Sequence, residues 1–198
     1  MSEGAESKIY EAPQADLEEG IASDESEFYV VSIRKFTLLF FFTLGIYTVY
    51  WFYKNWSLYK AHTHGNQWPV PRAIFSIFFT HSLFGNIESS LFQKNKDYSW
   101  DAGGLASLYV ILTIVSRVLD QLSNRSIGSP ITDLISLATV PMIYYVLMSA
   151  QKAVNISQDD ELGEGNKAIT GFNICWMVLG VVMWALVILG IFAEAFGL

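Results

Sequence analysis

Apolar residues are gathered into five long runs parted by short polar stretches: Phe36–Tyr53, Ala73–Phe92, Ala102–Leu119, Ile131–Ala150 and Ala168–Phe192. Each approaches the roughly 20 residues that a helix needs to cross a bilayer, and each is too long for a strand. Backbone polar groups in hydrocarbon must be paired internally, which makes helices the expected spanning element. The pattern predicts an all-α, polytopic helical membrane bundle of four or five spans over residues 31–198, behind a disordered acidic tail at 1–30.

The runs differ in character. Ala168–Phe192 is the cleanest, with no charged residue from Ile174 to Phe192. Ile131–Ala150 contains Pro141, and Ala102–Leu119 opens with the small residues Gly103, Gly104 and Ser107, which suit close helix packing. Ala73–Phe92 begins apolar on all sides. It then alternates Leu83, Phe84, Ile87 and Leu91 with His81, Asn86, Glu88 and Ser89, as an interfacial or bundle-lining helix does. Trp51, Trp56, Trp68 and Trp100 stand at run ends, where indoles favour the headgroup level.

The first run is divided by Gly45. On a helix, Tyr47, Tyr50, Trp51 and Lys54 fall on one face and suit an interface anchor. Two geometries are open: one plain span with a tolerated glycine, the simpler reading, or a re-entrant hairpin turning at Gly45. Charge does not separate them. With five crossings and the N-terminus inside, cations divide seven inside to four outside, and a re-entrant first run gives the same division.

"KFTLLFFFTLGIYTVYWFYKNW", residues 35–56, resembles the signature of an uncharacterised family of small bacterial integral membrane proteins. That signature reads Lys-Phe, an apolar run, Thr-x-Gly-[Ile/Leu]-Tyr, then Tyr-Trp-x-Tyr-[Lys/Arg]-x-Trp. The resemblance reaches at most residues 33–92. It implies the inner (cytoplasmic) membrane of a bacterium and no catalytic activity.

Net charge is −7, but residues 1–28 alone hold −8, from nine acidic residues and Lys8, so the remainder is near neutral. A basic nucleic-acid footprint is therefore absent. The acidic tail reads as solvated, and no basic segment leads into a cleavable signal. The single cysteine, Cys175, excludes an internal disulfide and reads as a buried, inert thiol.

Ionisable residues inside apolar runs are the candidate chemistry. His81, Glu88, Arg117 and Asp120 form a candidate intramembrane polar cluster, which would line a proton or ion path if they converge. The plainer reading puts Arg117 and Asp120 at the interface, snorkelling into headgroups. His62 and His64 lack a third ligand, so no metal or cofactor is expected. No nucleophile–base set or phosphate loop is evident, and an enzyme is not expected. The expected function is a non-enzymatic membrane interaction or envelope component. Its partners would be the bilayer and either a membrane protein or a second copy. The alternative is a small transporter or channel component.

Overall fold

The computed structural model describes residues 26–196, which form seven α-helices, a short 3₁₀ turn at Glu164–Asn166 and, among the described residues, no strand. The helices are α1 (Ile33–Phe42), α2 (Tyr47–Thr63), α3 (Pro69–Ile74), α4 (Ser76–Gln93), α5 (Ala102–Ser123), α6 (Ile131–Ser157) and α7 (Gly171–Phe196). Residues 1–25 of the predicted tail lie outside the described residues. Ser26–Ser32 is packed: Phe28 and Val31 are fully buried, so the boundary drawn at residue 30 falls inside the folded part.

The predicted runs become helices, with two breaks. The first run is not one helix. Leu44 and Gly45 take positive φ values of 52° and 79°, which ends α1 after 10 residues. At 1.5 Å per residue that is about 15 Å, half of a hydrocarbon core. The chain then turns back. Phe36 meets Tyr47 and Trp51, Tyr29 meets Tyr50, and Phe28 stacks on Tyr59, so α2 runs antiparallel to the segment that precedes it. The second break is a kink at Phe75 between α3 and α4. By contrast, α6 continues through Pro141 for 27 residues.

Three helices, Ala102–Ser123, Ile131–Ser157 and Gly171–Gly190, are long and apolar enough to cross a membrane. α5 and α6 form an antiparallel pair closed by residues 124–130. At the pair's open end, Lys96 bonds Asp159, and Lys94 Nζ donates to Ser157 O at 2.7 Å. α1 lies antiparallel to α6, with Val31 beside Asn155 and Thr37 Oγ1 2.7 Å from Tyr144 Oη. Phe41, in the last turn of α1, touches Tyr144 at 4.8 Å between ring centroids. Tyr144 is near the middle of α6, so the Gly45 turn sits about halfway along it.

The core occupies one end of the bundle. Phe36, Phe40, Trp51, Phe52, Trp56, Leu83, Phe84, Ile87, Val146, Leu147 and Val154 are buried there. Towards the 124–130 loop, α5 buries nothing beyond Leu112, and it exposes Ile114, Val115 and Val118. The buried face of α5 runs through Ala102, Ala106 and Tyr109, while Gly103 and Ser107 face outwards. Of the small residues expected to form a seam, Gly103 would meet only Asp101 of its own turn, and outside its own helix Ser107 reaches only the His81 ring of α4.

α7 is joined to the bundle through α1. A Cβ on Gly180 would stand 1.4 Å from Phe42 O, so only glycine permits this approach. One turn later the Trp184 indole donates to Phe41 O at 2.7 Å. α7 thus covers the carbonyl end of α1 at the point where its helical bonding runs out. Cys175, expected to be buried, is exposed on α7 because the helix touches its neighbours along one narrow strip.

Candidate functional site

The most elaborate polar structure is a cage of amide side chains around residues 27–32. Asn55 of α2 and Gln151 and Asn155 of α6 are fully buried. Asn155 accepts from Val31 N at 3.3 Å and donates to Val31 O at 3.0 Å, offering one residue both bonds that a neighbouring strand would supply. Asn55 Oδ1 accepts from Tyr29 N at 3.1 Å, and Gln151 Nε2 donates to Tyr29 O at 3.0 Å. The 160–166 loop closes the other side. Asn166 Nδ2 donates to Val30 O at 3.0 Å, and Ser32 N donates to Asn166 O at 3.4 Å.

The cage is internally linked. Gln151 Nε2 also donates to Asn155 Oδ1 at 2.7 Å, and its Oε1 takes the Trp51 indole N–H. Gly163 has φ +67°, and a Cβ there would come within 2.4 Å of the Val31 and Ser32 backbone, which brings the loop flat against the segment. Asp160 shapes that loop by accepting from Glu164 N and Gly165 N, each at 2.8 Å. Glu27 is bonded by Ser90 Oγ at 2.5 Å and lies 3.8 Å from Lys94. Buried backbone groups must be paired, and here side chains pair those of a segment that belongs to no helix.

At the surface beside the cage, the Lys96 hydrogen bond and charge hold the Asp159 carboxyl below its ordinary pKa. Lys167 is shifted upward by its bond to Glu164.

The structure moves the residues singled out in the sequence. Gly45 is at the turn. Tyr47 and Trp51 are buried against α1 and α6, Tyr50 is 44% exposed, and Lys54 lies 5.9 Å from the Tyr29 ring. The predicted anchor face is thus largely the packing face of α2, because α1 folds back over it. Trp51 and Trp56, expected among headgroups, are likewise fully buried, whereas Trp68 is exposed.

His81, Glu88, Arg117 and Asp120 are all exposed and are not brought together. His81 Nε2 is 3.1 Å from Ser107 Oγ, and Glu88 lies towards the far end of α4. Arg117 and Asp120 lie on the half of α5 near the 124–130 loop. Asp120 accepts from Ser136 Oγ at 2.6 Å, and no ion pair joins it to Arg117 among the described residues. The face that α4 turns inwards carries Leu83, Phe84, Ile87 and Leu91, the bundle-lining alternative for that run.

Sequence reading passed over Asn55, Gln151 and Asn155. The available signal was three amides at or just beyond the ends of apolar runs, where a surface position is the default. Comparison of the chain with family models, curated proteins and solved structures returned no match.

Proposed function

We propose that this chain is a polytopic protein of a bacterial cytoplasmic membrane that works by packing against lipid or another membrane protein, without chemistry of its own. In this reading α5, α6 and α7 cross the bilayer. α1 and the first turns of α2 enter to half depth as a re-entrant hairpin, and the acidic N-terminal tail stays in the cytoplasm.

The observation that carries the reading is the distribution of cations. Arg34, Lys152 and Lys167 line one groove beside the amide cage, Lys35 bonds Asn166, Lys54 lies over Tyr29, Lys60 follows the Tyr59 that stacks on Phe28, Arg72 lies over Trp56, and Lys94 and Lys96 bond Ser157 and Asp159, all at the end of the bundle that holds the cage. Only Arg117 and Arg125, among the described cations, lie towards the other end. Cytoplasmic segments carry such an excess. Non-helical backbone at membrane depth must have its polar groups paired, and in the half-buried Gly45 turn the N–H groups of Leu44, Gly45 and Ile46 bond Phe41 O, Phe40 O and Thr43 O. Thr43 Oγ1 donates to Leu39 O at 2.7 Å and accepts from Tyr47 N at 3.0 Å, while Trp184 and Gly180 close over Phe41 and Phe42.

A non-enzymatic role is supported by where the interior amides are spent: Asn55, Gln151 and Asn155 all bond the protein's own backbone. A transport path through His81, Glu88, Arg117 and Asp120 draws no support from an arrangement that spreads them over the outer surface. The family resemblance of residues 35–56 supports the bacterial location.

Cysteine labelling in intact cells tests the topology. In a Cys175→Ser background, Ala61→Cys and Ser99→Cys should resist a membrane-impermeant thiol reagent until the cells are opened. Ser126→Cys should label at once. Labelling of Ala61→Cys in intact cells while Ser99→Cys stays protected would mean that the first run crosses, and the hairpin reading would fail; labelling of both with Ser126→Cys protected would invert the bundle.

A further inference from the structure

A groove of about 830 Å³ opens beside the cage, where α1 starts, α6 ends and the 160–167 loop passes. Its cationic wall is Arg34, in the first turn of α1, and Lys152, next to Gln151 on α6. Both are exposed, and neither has an ion pair or side-chain hydrogen bond among the described residues. Lys167 also lines the groove but is held by Glu164. Ile33 and Ile156 supply apolar wall, and Tyr98 stands at the rim.

We propose that this groove binds the phosphodiester headgroup of an anionic membrane phospholipid, between Arg34 and Lys152. The inference rests on the topology above, which places this end of the bundle at the cytoplasmic headgroup layer, where basic pockets between helices take lipid head groups. The charge balance selects the ligand. With Lys167 and Glu164 paired, two cations that have no ion pair among the described residues line the groove with one carboxylate, Glu161. That surplus matches a singly charged phosphodiester better than a phosphomonoester or inorganic phosphate, which carries about −1.5 to −2 at neutral pH. The guanidinium supplies paired donors for the phosphate oxygens, and Lys152 supplies a point charge.

The test is native mass spectrometry of the delipidated full chain in detergent, titrated with phosphatidylglycerol, phosphatidylcholine or inorganic phosphate. Phosphatidylglycerol should be retained in preference to phosphatidylcholine. Arg34→Gln or Lys152→Gln should each weaken retention about fivefold and the pair about twenty-five-fold, taking the usual value of a basic residue at an anionic surface. Glu161→Gln should strengthen it. Neither cation is bonded to another described residue, so the double variant should melt as the wild type does. Equal retention by the double variant, equal retention of both lipids, or displacement of the lipid by millimolar inorganic phosphate would overturn the proposal. Lipid retention that follows these variants while Ala61→Cys labels from outside would instead remove the topology and leave the headgroup site.

Discussion

Replacing Asn155 should be among the most damaging single changes in the chain. The side chain is fully buried and supplies both bonds to Val31, itself fully buried. Asn155→Ala leaves that N–H and C=O without partners where water does not reach. An unsatisfied buried group costs about 1–3 kcal/mol, so two such groups cost about 2–6 kcal/mol, before Gln151 loses its own bond to Asn155. Whole domains are stable by only about 5–15 kcal/mol. At about 2–4 °C per kcal/mol for a chain of this size, the midpoint of thermal unfolding in detergent should fall by roughly 10 °C. Asn155→Leu separates bonding from volume, since leucine refills the space and restores no bond. It should lose nearly as much as alanine. A leucine variant melting within about 2 °C of wild type would refute the claim that the amide, rather than its bulk, holds the N-terminal segment.

Further outcomes follow from the same geometry. Gly180→Ala should detach α7, because the new Cβ meets Phe42 O, whereas Gly190→Ala, with nothing within 4 Å, should be neutral; the yield of folded protein separates the two. Arg117→Ala should alter protein level only mildly, and adding Asp120→Asn should rescue nothing, since the two form no pair. Lys96→Gln should bring the Asp159 titration back up towards the ordinary value, read by carboxyl NMR. A depressed folded-state pKa stabilises above the unfolded value and is lost as pH falls through the folded one. Lys96→Gln should therefore leave the pH dependence of unfolding unchanged between pH 7 and 5, and because Asp159 is fully exposed any acid-range effect is small.

What could be read in advance followed from local rules. Alternation within the second run marked Leu83, Phe84, Ile87 and Leu91 as one inward face, and α4 buries those four. Gly45 was legible as a point where a helix can end. The faces of α2 and α5 were not legible. Tyr47 and Trp51 look like headgroup anchors until α1 covers them, and Gly103 looks like a packing seam until the helix presents Ala102 and Ala106 instead. A periodic pattern shows that residues share a face, and it leaves open which neighbour that face meets.

By itself the sequence determined the helical class, the apolar runs, their approximate ends and the acidic composition of the tail. These depend on run length, residue type and spacing within a few turns, which act locally. The tertiary structure alone decided that the first run folds back at Gly45, that most of the described cations collect at one end, and that Asn155 is an interior bonding group. The reason is that each depends on a partner remote in the chain. The backbone that Asn155 bonds lies 124 residues away, and nothing about an asparagine near the end of an apolar run says whether water or Val31 will take its hydrogen bonds.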